Sequence, residues 1–323
     1  MNELINLDSY PIRATLKILL KDKTTDKNII WATDSYKSHG SEYGERKQIT
    51  EALLRGLHSI DIQPRVLKTL EAQKNRTKVK AEVFTPSWVC NQMNNYCDDD
   101  WFGRKNVFNT ENDDHTWTAT TGKIWFPDTK KKTWQDYVDS RRLEITCGEA
   151  PYLVSRYDTT TGELIELPKR IGMLDRKLRI VNENTNYEAE WFKWVIRAYQ
   201  STYGYEWQGD NLLIARINLL LTFQDYLDAK WHREPTSQEL RKIATIISWN
   251  IWQMDGLKNT IPFNGAINDE PVQMSLFDLI ESNELQQDSE DTGGNEHFCK
   301  IRDWRNGSGG TVILFNDLRK EKN

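Results

Sequence analysis

No two of the nine prolines in this 323-residue sequence are adjacent, so a rigid Pro-Pro turn occurs nowhere along it. Cysteine is sparse too. Cys90, Cys97, Cys147 and Cys299 contain no Cys-x-x-Cys pair, and the five histidines are scattered. That spacing argues against a zinc site and a disulfide framework, and it implies a reducing, cytoplasmic setting. No apolar run approaches the ~18 residues of a membrane span, so no membrane partner is expected. The opening Met-Asn-Glu-Leu-Ile-Asn lacks the basic start and apolar stretch of a signal peptide. Gly-x-Gly-x-x-Gly is missing, which argues against a nicotinamide dehydrogenase. Pro127-Asp-Thr-Lys has no Glu-x-Lys nearby, which argues against a metal-dependent nuclease.

What is present suits one large domain or two modest ones, with apolar content for a core of ordinary size. Tryptophan (13) and tyrosine (12) are abundant, and 28% of residues are charged. The net charge of −5 disfavours coating nucleic acid by charge alone. The balance is uneven: residues 1–80 hold 15 Lys and Arg against 10 Asp and Glu, leaving −10 on residues 81–323. The basic stretch from Arg65 to Lys80 is compatible with phosphate contacts, and equally with a solvated surface.

Along residues 1–80 the pattern is mixed α/β. Ala14 to Lys21 predicts a short helix, Asn28 to Thr33 a strand, and Ile49 to Gly56 and Pro64 to Gln73 two further helices. Residues 98–135, rich in Asp, Asn, Thr, Trp and Lys, read as an irregular loop with a strand at Gly122 to Phe126. From 141 onward strands and helices alternate, which predicts α/β with a mostly parallel sheet. Asp-Thr-Thr-Thr-Gly within Arg156 to Leu167 predicts a hairpin turn. The acidic segment 281–297 reads as a loop.

Three predicted strands end at carboxylates. Leu143-Glu-Ile-Thr-Cys-Gly-Glu-Ala-Pro places Glu144 before a turn at Cys147-Gly148, with Pro151 opening a helix. Tyr203-Gly-Tyr-Glu-Trp-Gln-Gly-Asp places Glu206 at a strand end and Asp210 as the cap of a helix through Leu220. Ile246-Ile-Ser-Trp-Asn-Ile-Trp-Gln-Met-Asp-Gly reads as a strand leading to Asp255. Parallel α/β sheets bind ligands at the carboxyl ends of their strands. Glu144, Glu206 and Asp255 are therefore expected around one crevice, where a carboxylate can accept ribose hydroxyls or an adenine amino group.

With those residues in view, the chain resembles adenine-N6 DNA methyltransferases of type II and IIG restriction–modification systems, over roughly residues 64–300. The turn with Glu144, Cys147, Gly148 and Ala150 resembles their motif I. Tyr-Gly-Tyr-Glu206 resembles motif II, and Gln-Met-Asp255-Gly-Leu257 motif III. Phe84-Thr85-Pro86 is similar to motif X, which closes over the methionine end of the cofactor. The resemblance implies a Rossmann-like methyltransferase sheet over residues 81–323 behind a mixed N-terminal segment. It also implies S-adenosyl-L-methionine as cofactor and double-stranded DNA as partner, with those residues as the cofactor-binding set.

The sequence departs from the family in three places. Ala150 stands where a second glycine is usual. Glu206 follows Glu144 by 62 residues, where about 20 is usual for the ribose carboxylate, and Asp175 is a rival for that role. The Asn-Pro-Pro-Tyr-type motif that holds the flipped adenine is absent, because no prolines are adjacent. Asn264 is the nearest substitute. In family order that motif would follow Asp255 by some tens of residues, about where the sequence ends. Two readings stand: a methyltransferase part completed by a second chain carrying the catalytic and recognition regions, or a non-catalytic cofactor- or DNA-binding subunit of a restriction or defence system.

Overall fold

The computed structural model describes residues 4–57, 59–68, 85–127, 132–265, 297–305 and 309–320. Its centre is α7, Gly209–Trp231, which buries residues on every side, among them Leu212, Leu213, Ile214, Ile217, Leu220 and Phe223. A helix buried on every side belongs inside a core, and polar residues of α7, Arg216 among them, are buried with the rest. It outruns the expected end at Leu220 and stops at His232, which takes the left-handed conformation at φ 52°. Its start is tightly constrained. A Cβ on Gly209 would lie 2.0 Å from the Ile30 carbonyl oxygen, so only glycine lets the N-terminal chain cross here. Asp210 is not the cap. Gln208 holds that position, and the buried Asp210 carboxylate instead takes the Tyr36 hydroxyl at 2.9 Å and Lys68 Nζ at 3.1 Å.

Beside α7 lies a three-stranded parallel sheet in the order β3 (Arg142–Glu144), β4 (Thr202–Glu206), β5 (Ile251–Gln253). Glu144 pairs with Gly204, and Glu206 with Gln253. The first crossover carries α5 (Met173–Asn184) and α6 (Glu188–Gln200); the second carries α7 and α8 (Ser237–Asn250). The architecture is thus mixed α/β. The other strands form two antiparallel pairs, β1 (Asn109–Glu111) with β2 (Trp117–Ala119), and β6 (Lys300–Asp303) with β7 (Thr311–Leu314). Tyr203, Tyr205 and Trp252 on one face of the parallel sheet pack with Ile301 of β6 and with Cys299 just before it. Gly204, on the other face, meets Leu153 and Cys147.

The N-terminal segment shares this core. Helix α1, Ile12–Leu19, packs on α7 and α8, and α2 spans Glu51–Arg55. Residues 28–33 form isolated bridges, not a strand. Ile30 N–H donates to the Gln253 side chain at 2.9 Å, and its carbonyl accepts the Gln253 amide at 2.9 Å. From Pro64 onward the described part is a single 3₁₀ turn at Arg65–Leu67, not a helix; residues 69–73 lie outside the described set.

Other expectations need correction. Ser87–Phe102 forms a sixteen-residue helix, α3, whose last turn takes residues 98–102 from the expected loop. Its buried face carries Asn91, Asn94 and Asp98, so it has no apolar stripe to betray it. Buried Arg176 of α5 supplies the missing partner, donating to Asp98 at 2.6 Å, Asn91 at 2.9 Å and Asn95 at 2.8 Å. Gly122 to Phe126 forms no strand, and a short α4 follows at Trp134–Asp139. Ile246 to Asn250 is the last turn of α8, with only Ile251–Gln253 in the strand. After Pro151 the chain makes a turn, not a helix. The hairpin within 156–167 is a single bridge, Tyr157 to Leu164. A four-residue α9, Asp317–Lys320, ends the described chain.

Candidate functional site

Strands β3 and β4 end side by side, and the turn after β3 folds back across the end of β4. Cys147 N–H donates to the Tyr205 carbonyl at 2.8 Å, and Gly148 N–H donates to Glu206 Oε2 at 2.9 Å. Glu206 Oε1 accepts Gln208 N–H at 3.1 Å. Left-handed residues recur through this turn: Thr146 at φ 47°, Gly148 at 54° and Ala150 at 66°. Alternation of this kind curls successive N–H groups into a concave surface. Only Gly148 adopts it without steric cost; Thr146, β-branched, is an outlier. Ala150 occupies a backbone state that glycine would prefer, and its methyl is fully buried.

Glu144 closes the same turn from below, accepting N–H groups of Leu153 at 3.1 Å and Tyr152 at 3.3 Å. Burial pushes its carboxyl well above the usual carboxylate range, and the nearby Glu206 charge adds to the rise. Burial raises the Cys147 thiol as well, with both carboxylates contributing. Cys147 is therefore an inert packing thiol, not a nucleophile.

A cleft of about 860 Å³ opens above this turn, within the ~300–1,000 Å³ typical of small-molecule sites. Of the residues singled out from sequence, Thr85, Glu144, Cys147, Gly148 and Glu206 line it. Helix α3 forms a further wall with Met93, Asn94 and Cys97, and Trp207 and Asn211 enter from the start of α7. Sequence reasoning missed these. The available signal was the helical spacing of Met93, Asn94 and Cys97, three and four residues apart after Pro86.

The remaining expected residues lie elsewhere. Pro86 is the N-cap of α3 and Ala150 sits beneath the turn; neither lines the cleft. Asp255 lies two residues beyond the end of β5, and its carboxylate closes an Asp-Gly turn by accepting Leu257 N–H at 2.9 Å and Lys258 N–H at 3.2 Å. Leu257 points into solvent, 93% exposed. Asp175 is buried in α5, where its carboxylate accepts Ser155 N–H at 2.8 Å. It fastens a loop, whereas Glu206 stands in the cleft wall. Phe84 lies outside the described residues, as do residues 69–80 of the basic stretch. Of that stretch, Arg65 N–H donates to Glu149 at 2.7 Å and Lys68 pairs with Asp210. Both contacts fold the stretch onto the protein. The side chain of Asn264 is likewise outside the described set.

No family model, characterised relative or solved structure matches this chain. Among the described residues no cluster of metal-ligating side chains occurs, and no helix is long and apolar enough to cross a membrane.

Proposed function

We propose that this chain is the S-adenosylmethionine-binding part of a DNA adenine-N6 methyltransferase, with its parallel strands belonging to a Rossmann-like sheet. In this reading duplex DNA is the substrate, and the polypeptide that holds the flipped adenine lies outside these 323 residues. The observation that carries it is Glu206: a carboxylate ending the middle parallel strand, in a cleft wall, fastened to the left-handed turn after the neighbouring strand. That is where open α/β sheets receive nucleoside ligands.

The lining suits the cofactor. Glu206 offers a carboxylate to the ribose hydroxyls, and an ionised carboxylate can accept about four hydrogen bonds. Met93, Ile145, Met173 and Trp207 supply apolar wall for the adenine ring. With Asp255 outside the cleft, amide side chains of Gln208 or Asn211 are the candidates for the adenine amino group. Bound cofactor would bring the transferable methyl group; the chain's own contribution is to bind and orient it.

Titration calorimetry with S-adenosylmethionine tests the reading. The expected result is heat of binding, weakened about tenfold or more by Glu206→Gln, with Asp175→Asn close to wild type. No heat at millimolar cofactor, even with a second polypeptide added, would overturn it. Incubation with mixed-sequence duplex and methyl-labelled cofactor separates the two readings of the missing Pro-Pro motif. Label on adenine N6 only when a second polypeptide is supplied supports a split enzyme. Cofactor binding with no label under any combination supports the non-catalytic subunit.

A further inference from the structure

Residues 81–323 carry a net charge of −10, yet five cationic side chains and one anionic one, Asp139, line a single groove of about 880 Å³ on this part of the chain. Lys193 and Arg197 come from α6, Arg241 and Lys242 from α8, and Arg302 from β6. Segregating like charge against the average of the surrounding chain costs repulsion, and an anionic partner offsets that cost. Lys193, Arg241 and Lys242 are exposed and make no ion pair with a described residue; Arg197 pairs with Asp139.

The groove is aromatic as well as basic. Trp194 and Trp304 line it, each half-buried. The Arg302 guanidinium lies 5.1 Å from the Trp304 ring and 4.7 Å from that of Trp249. Its buried Nε has no hydrogen-bond partner among the described residues. Cations interleaved with partly exposed tryptophan rings match one polymer chemistry: phosphates spaced along a chain of flat, unpaired bases. A duplex hides its base faces and would leave the rings unused. An acidic peptide offers charge without stacking partners.

We propose that the α6–α8 groove binds single-stranded nucleic acid. It is separate from the cofactor cleft. Gln200 of the groove precedes β4 and Glu206 of the cleft ends it; Asp139 precedes β3 and Glu144 ends it. The two openings therefore lie at opposite ends of the parallel strands, and the groove stands whether or not the cleft takes S-adenosylmethionine.

The test is fluorescence anisotropy with a labelled oligothymidylate of about 15 nucleotides, a length near the upper site size of such grooves, measured across salt concentrations. Wild type should bind it more tightly than a duplex of equal length or polyglutamate used as competitor. Lys193→Glu with Lys242→Glu should weaken binding at least tenfold. The same pair should lower the slope of log affinity against log salt by about 1.4, or about 0.7 per lost phosphate contact. Both lysines are on the surface, so folding is preserved, and an unchanged thermal transition confirms it. Trp304→Leu should weaken binding with no change in slope, since stacking releases no counterion. No binding by wild type, equal binding of the duplex or polyglutamate, or lysine variants that match wild type would each overturn the proposal.

Discussion

At the scale of single residues, the turn between Glu144 and Ala150 stores local strain beside the cleft. A non-glycine residue in the left-handed region costs roughly 1–2 kcal/mol, and glycine there gives back roughly 0.5–1 kcal/mol in chain entropy. Thr146 is exposed and sits at φ 47°. Thr146→Gly should therefore stabilise the protein by up to about 1 kcal/mol, read as a higher thermal midpoint. A lower midpoint would show that the threonine hydroxyl outweighs the strain. Asp175 makes a pH-dependent contribution. Burial raises its carboxyl to about 6 against the pull of Arg170 and the Ser155 hydrogen bonds. Because the folded value lies above the unfolded one, its stabilising contribution is full below about pH 4 and is lost as pH rises toward 6. Relative to Asp175→Asn, wild type should lose up to about 3 kcal/mol across that window; parallel stability curves from urea melts would refute this. Cysteine supplies a direct reporter. Cys90, Cys147 and Cys299 are buried, while Cys97 is half-exposed and lines the cleft. Maleimide should alkylate the native protein at Cys97 alone, and S-adenosylmethionine should slow that reaction. Labelling at an unchanged rate under saturating cofactor would place the ligand elsewhere.

At the scale of elements, one arginine joins three of them. Arg216 is fully buried in α7. Its guanidinium donates to the Leu19 carbonyl, to Lys21 at 2.9 Å, to Ile251 at 2.8 Å and to Ser248 at 3.3 Å. Those carbonyls lie at the C-terminal ends of α1 and α8 and the first residue of β5, where helices leave acceptors unsatisfied. Burial lowers Arg216 to about 10, so it keeps its charge at neutral pH, and a cation at a helix C-terminus is favourable. Arg216→Met would keep the volume and strand several buried acceptors. The expected loss is about 3 kcal/mol or more, measured by urea denaturation; a loss under about 1 kcal/mol would mean that water replaces the guanidinium. Helix α8 carries a legible start as well. Thr236 and Glu239 form a reciprocal capping box, the local signature that marks a helix where the apolar run from Ile243 to Ile247 alone suggests a strand.

At the scale of the whole molecule, residues 4–57 and the parallel sheet share one buried core. Ile12, Leu16 and Leu19 of α1 belong to the same buried cluster as Leu212, Ile243 and Ile251, and Arg216 and Gln253 reach across to the backbone of residues 19–30. Unfolding followed by tryptophan fluorescence and by far-ultraviolet circular dichroism should therefore give one coincident transition. Two separated transitions would show that the first eighty residues fold as an independent unit.

The strand-end carboxylates Glu144 and Glu206, the Gly148 turn and helix α7 were readable from sequence because each is local: a residue type at a fixed offset within one element. The parallel sheet followed from the alternation of such elements. Helix α3 was not readable, since its buried face is polar and becomes stable only when Arg176, 78 residues beyond Asp98, supplies the charge. Nor was the cleft wall at Cys97, nor the placement of Asp255 outside the cleft, nor the basic groove between α6 and α8. Charge, burial and distance between residues far apart in the chain exist only once the chain is packed, so those features belong to the tertiary structure alone.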